Sequence, residues 1–153
     1  MSLFPSIDSA VRFLIDAEPV PQPRQRHAVG KHGKMAGVVM NYIPKNHPIW
    51  VFKDVCRLRA KQAYQGKPLE GPLRVHLLFL LPRPGRLIWK TRLMPRAWAP
   101  GRPDIDNFEK AVLDALSGHL WADDSQIVDL HSMKMYSSGD EEPGVEVMVE
   151  ELQ

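Results

Sequence analysis

Asp104 and Asp106 stand one residue apart at the head of the stretch DIDNFEKAVLDAL, and a second acidic pair, Asp123 and Asp124, follows it. In an extended approach to a helix, carboxylates two residues apart project to one side while Ile105 between them turns inward, so the two acids can share a cation. Lys110 lies one turn beyond Asp106 on the face away from Phe108, with Asn107 and Asp114 beside it. Asp124 can fold back from beyond the helix, so Asp104, Asp106, Lys110 and Asp124 are expected to converge on one helix start. Three carboxylates without a thiolate or imidazole set suit magnesium, or manganese, which takes oxygen ligands and keeps several waters. A cation held there can activate water and stabilise charge at a phosphate, while Lys110 neutralises the phosphate or the leaving oxygen. The helix N-terminus adds free amides and a partial positive charge.

A plainer reading uses the same residues, with Asp106 as a helix cap and Lys110 paired to Asp114 on the surface. It would leave a non-catalytic binding module. The histidines at 27, 32, 47, 76, 119 and 131 lack zinc-site spacing and are read as structural. Dinucleotide-binding and P-loop glycine patterns are absent, as is a nucleophile elbow, so no nucleotide cofactor is expected.

Charge is segregated along the chain. No acid occurs over residues 19–53, which hold Arg24, Arg26, Lys31, Lys34, Lys45 and Lys53, nor over residues 71–103, which hold seven cations, Arg92, Arg96 and Arg102 among them. Seven carboxylates crowd residues 104–129 and six more fill residues 140–151. The net charge of +2 hides this pattern. Clustered cations suit a polyphosphate partner through counterion release, and Arg24, Arg26, Lys45, Arg92, Arg96 and Arg102 are the candidate phosphate contacts.

The elements that must position the acids follow from periodicity and breakers. Residues 11–17 alternate as a strand ended by Pro19, Pro21 and Pro23. Gly30, Gly33 and Gly37 mark a loop or hairpin tip before a short strand over 38–43. Helix one is predicted over 48–65, with Trp50, Val51, Val55, Leu58 and Gln62 at helical spacing. Residues 73–81 form an apolar run between Pro72 and Pro82, which suits a buried central strand. The basic stretch 82–103, with Trp89 and Trp98, has no periodicity and reads as a long functional loop; each tryptophan either stacks on an unpaired base or folds against the core. In helix two, Asp106 and Glu109 give a capping box, Phe108, Ala111, Val112, Ala115 and Leu116 the apolar stripe, and Gly118 the stop. Residues 126–136 and 145–150 alternate and read as an antiparallel pair across SSGDEEPG. The result is an α+β fold, a single small domain over residues 1–153 with two main helices on a mixed sheet, residues 1–10 and 30–37 being flexible.

A chain of 153 residues with 44% hydrophobic and 25% charged residues is one globular core's worth. Its longest apolar run, residues 77–81, is too short to span a bilayer, so no membrane is expected. Cys56 is alone and the first residues lack a secretory pattern, so a cytoplasmic location is expected.

RPDIDNFEKAVLDAL, LWADDSQIVDL and the strand Met133-Lys134-Met135 together resemble the RusA family of Holliday junction resolvases, crossover junction endodeoxyribonucleases. VPQPRQR and YIPK are similar to the basic N-terminal segments of that family. The resemblance implies a small fold forming a two-fold homodimer that binds four-way DNA junctions in recombination and repair and, with magnesium or manganese, makes paired nicks. It implies Asp104, Asp106 and Asp124 as the catalytic, metal-binding carboxylates and Lys110 as the catalytic lysine, with Asn107, Asp114 and Asp123 in supporting places. The residues alone leave open a junction-binding module without catalysis and a nuclease of other branched or single-stranded DNA.

Overall fold

The computed structural model describes residues 9–153, so the first eight residues of the stretch expected to be flexible lie outside it. The most apolar segment takes the middle of the molecule. Strand β4 (Leu73–Leu81) is flanked on one side by β7 (Gly144–Glu151) and on the other by β6 (Ile127–Tyr136), and the five-stranded sheet runs β1-β7-β4-β6-β5, with β1 at Val11–Ile15 and β5 at Ala97–Trp98. β4 is parallel to β6, and every other pairing is antiparallel, so the sheet is mixed. β6 and β7 are therefore not the hairpin pair their alternation suggested. A strand buried on both faces gains most from neighbours on both edges, so β4 sits between them and the 137–143 connection passes over its end.

One face of the sheet carries both helices, α1 (Ile49–Ala63) and α2 (Ile105–Leu116), and between them lies a single continuous core. α2 buries the expected stripe, Phe108, Ala111, Val112, Ala115 and Leu116, and Phe108 stacks on Phe79 of β4 with ring centroids 5.4 Å apart. Gly118 ends it at φ +77°, a backbone conformation that L side chains resist. On α1 the buried stripe is Ile49, Phe52, Lys53, Cys56 and Ala60, rotated from the expected one; Val51 and Leu58 face outward. The narrow Cys56 and Ala60 let α1 come close to α2 and the sheet, which larger side chains would prevent. Of the two readings of the glycine-rich segment, the hairpin tip is the one found: β2 (Arg26–Val29) pairs antiparallel with β3 (Val39–Tyr42), and both strands come from the basic stretch itself.

Residues 82–103 are more ordered than their lack of periodicity implied. Arg83 ties them down by donating to the carbonyls of Leu87, Pro95 and Ser137, and the guanidinium groups of Arg83 and Arg92 both lie over the Trp89 ring. Of the two tryptophans, Trp89 is folded in and Trp98 is 66% exposed. No helix among the described residues is long and apolar enough to cross a membrane.

Candidate active site

Because α2 joins β4 to the parallel strand β6, it must run antiparallel to both, and its start lies where those strands end. Lys134, near the end of β6, fixes this end: its ammonium donates to the carbonyls of Gly101 (2.5 Å) and Pro103 (2.7 Å), holding the loop that delivers Asp104. Asp104, in extended backbone, is the N-cap residue of α2, and Asp106 is already inside its first turn. The capping box expected from Asp106 and Glu109 is absent, because Asp106 accepts from the adjacent Asn107 amide at 3.0 Å. Asp104 and Asp106 are nevertheless both exposed, and Ile105 packs against the core as expected. Burial, and secondarily the Asp106 charge, holds the Glu109 carboxyl above its ordinary pKa.

Beside this start lies an open cleft of about 540 Å³ whose wall includes Trp98, Asp104, Ser132 and Lys134. The Ser132 hydroxyl is buried there, and among the described residues it has no hydrogen-bond partner. The first basic segment crosses the same place: the Gln22 amide donates to the Asn107 carbonyl at 2.9 Å, which brings the exposed Arg24 and Arg26 past the helix start. Lys110 is exposed one turn further along α2. Asp114 does not pair with it, lying instead 3.9 Å from the ammonium of Lys53 on α1. Lys53 is only 6% exposed, and burial lowers its pKa. Nothing in the sequence singled it out, since its lysine neighbours in the basic segment are all solvated.

Asp123 and Asp124 occupy the other end of α2. Asp123 makes the capping box that the sequence placed at Asp106: its side chain accepts from the Ser125 amide at 2.8 Å, while the Gln126 side chain accepts from the Asp123 amide at 2.8 Å. The Ser125 hydrogen bond pulls the Asp123 pKa down. Gln126 in turn donates to the carbonyls of Leu69 and Gly71, just before β4 begins. Asp124 accepts from the buried Trp121 indole at 2.8 Å. Twelve residues of α2, at about 1.5 Å each, and seven steps of β6 from Ile127 to Lys134, at about 3.3 Å each, both put Asp124 on the order of 20 Å from Asp104. The convergence of all four residues on one helix start is thus corrected within a single chain: a crossover helix delivers its two ends to opposite ends of the strands.

Among the described residues no three of His, Cys, Asp and Glu stand together as a metal site. The donor chemistry at the helix start still fits a hard cation, since Asp104 and Asp106 offer carboxylate oxygens to solvent beside helix amides. Of the expected phosphate contacts, Arg24, Arg26, Lys45, Arg92 and Arg102 are exposed. Arg96 is not: its guanidinium forks onto Glu141 (2.8 and 2.9 Å) and reaches Glu146 (2.9 Å), which raises its pKa, and it serves to fasten the 137–143 connection.

An acidic helix start on a small α+β sheet thus lies beside a cationic segment through Arg24 and Arg26 and a cationic loop over residues 82–103. The family model for endodeoxyribonuclease RusA matches residues 16–150, and the chain belongs to that family. It is also 33% identical over 147 residues, 93% of this chain and 96% of the relative, to the uncharacterized protein YqaN of Bacillus subtilis (strain 168).

Proposed function

We propose that the protein is a Holliday junction resolvase, a magnesium-dependent homodimer that nicks four-way DNA junctions in pairs during recombination and repair in the cytoplasm. The observation that carries this reading is the exposed Asp104 and Asp106 pair at the start of α2, in a chain of the endodeoxyribonuclease RusA family, with the Arg24 and Arg26 segment hydrogen-bonded across the same helix turn.

Asp104 and Asp106 of one protomer and Asp124 of the partner subunit would hold the cation, because one chain keeps Asp124 at the far end of α2. A divalent ion bound there supplies a polarised water and neutralises charge developing on the phosphate. Lys110, on the same face of α2 as Asp106 and one turn on, contacts the scissile phosphate. The α2 amides and the exposed Arg24, Arg26, Lys45, Arg92 and Arg102 grip the flanking backbone phosphates without reading sequence. Asn107 supports Asp106 through its amide, Asp123 shapes the turn that carries Asp124, and Asp114 orients Lys53.

The test uses a labelled four-way junction, a linear duplex and a single strand, with and without magnesium. The expected result is paired nicking of the junction in magnesium alone. Absence of any metal-dependent cleavage would refute the nuclease, and equal cleavage of duplex and junction would refute the resolvase.

A further inference from the structure

Lys53 is the one charged residue in the buried stripe of α1, set among Ile49, Phe52, Cys56 and Ala60 and only 6% exposed. Its ammonium lies 5.7 Å from the centre of the Trp50 ring and 3.9 Å from a carboxylate oxygen of Asp114 on α2. Burial pushes its pKa down, the Asp114 charge pushes it back up, and Arg57 and Lys110 are close enough to push it down again. Three cations thus gather around one carboxylate where the two helices meet. Arg57 is committed elsewhere, since its guanidinium donates to the Ala115 carbonyl at 3.1 Å and pairs with Asp54 at 3.5 Å. Asp114 therefore stands between two lysines, one buried and one exposed.

We propose that Lys53 is a positioning residue, which draws the Asp114 carboxylate into the seam between α1 and α2 and so leaves Lys110 unpaired for a substrate phosphate. The inference rests on the resolvase reading for the role of Lys110. Lys110 stands four residues before Asp114 on the same helix, where side chains are neighbours with Cβ atoms about 5–6 Å apart. Yet among the described residues no carboxylate lies within ion-pair distance of Lys110. A lysine that holds a carboxylate brings no net positive charge to a phosphate, so α2 carries a group able to neutralise Lys110. The neighbouring helix holds that group away.

Two physical reasons favour Lys53 as the partner. The first is solvation. Lys110 is exposed, and water stabilises its charge without help, whereas the Lys53 ammonium is cut off from water and needs a counter-charge. Pairing Asp114 with the buried lysine therefore relieves the larger penalty. The second is order along the helix. A cation one turn N-terminal to its carboxylate opposes the helix dipole, which makes Lys110 with Asp114 the weaker arrangement of an i, i+4 pair. Lys53 reaches Asp114 from another helix and is free of that constraint. Without Lys53, the pair with Lys110 is the one that remains.

Lys53→Met provides the test, since methionine fills the site with an unbranched apolar chain and exchanging a buried ion for an apolar side chain is often tolerated. Asp114, whose side chain is 38% exposed, can then turn to Lys110. At low salt, and well below each variant's melting temperature, Lys53→Met is expected to lower kcat for junction nicking about fivefold with KM little changed, the scale of a strong surface pair. Lys53→Met/Asp114→Asn is expected to return kcat to near the wild-type value; a packing defect caused by methionine would persist there and could not be rescued. A crystal structure of the Lys53→Met chain is expected to show Asp114 within about 4 Å of the Lys110 ammonium, where the wild type keeps it on Lys53. A Lys53→Met chain with the wild-type kcat, or a double variant as slow as Lys53→Met, would overturn the inference. If the wild type cuts no DNA but Asp114 moves to Lys110 in the Lys53→Met crystal, the resolvase reading fails and the positioning stands. If the wild type nicks junctions while Asp114 keeps its place without Lys53, the reading stands and the positioning is removed.

Discussion

The two ends of α2 carry equal numbers of aspartates and treat them oppositely. At its start, Asp104 and Asp106 are exposed and meet only a backbone amide, over a core pinned by Phe108. Beyond its end, Asp123 and Asp124 are tied by the Ser125 amide and the Trp121 indole, in a turn whose Gln126 is bonded back to the residues before β4. One pair is left available on a rigid platform; the other is built into the platform. The difference separates carboxylates open to solvent from carboxylates whose oxygens the fold already holds.

The largest expected effect removes the platform beneath the first pair. Phe108→Ala empties a buried site stacked on Phe79 and is expected to cost about 4 kcal/mol, read as a fall in denaturation midpoint. Trp121→Ala would be expected to do comparable damage at the other end, so equal losses would show that both ends are anchored alike and differ only in their acids. Asp104→Asn sharpens the contrast, because asparagine is as good an N-cap and stability should hold, while junction nicking falls by about a hundredfold or more and junction binding persists. An unchanged rate would remove Asp104 from the site.

Trp121→Phe keeps the bulk and deletes the hydrogen bond to Asp124. It is expected to cost about 2 kcal/mol of stability, the scale for a hydrogen bond to a charged group, and to weaken magnesium activation of nicking more than junction binding. Equal loss of both would mean that Trp121 serves the fold alone. The smallest effect concerns Glu109. Its pKa is raised in the folded chain, so the folded state binds the proton more tightly than the unfolded one, and the resulting penalty appears as pH rises through the unfolded value toward the folded one. Glu109→Gln is therefore expected to raise the melting temperature slightly at pH 7 and to lose that advantage below about pH 4. A benefit persisting in acid would place its cause outside ionisation.

Much of this was legible in local patterns. The apolar run between Pro72 and Pro82 is the central strand with the expected bounds, and the stripe of α2 with its Gly118 stop is as its spacing required. Patterns failed where a neighbour chosen by the tertiary fold decided the outcome. The alternation of β6 and β7 was read correctly as strands and wrongly as a hairpin, since alternation says nothing about which strand lies between. Lys53 stands in a basic stretch indistinguishable from its solvated neighbours, and only the approach of α1 to α2 buries it against Asp114. Arg96 looked like another phosphate contact until Glu141 and Glu146, far along the chain, closed on it.

By itself the sequence determined which residue types are available for chemistry, because hard oxygen donors, cations and a helix start are properties of residue types and short spacings. It also determined the α+β class, which follows from hydrophobic period. Only the tertiary structure decided where those residues stand. The parallel pairing of β4 with β6 requires α2 to cross from one end of the sheet to the other, so Asp104 and Asp106 arrive at one end and Asp124 at the opposite one. No spacing along the chain encodes that separation, since it is set by the direction of two strands rather than by the residues between them.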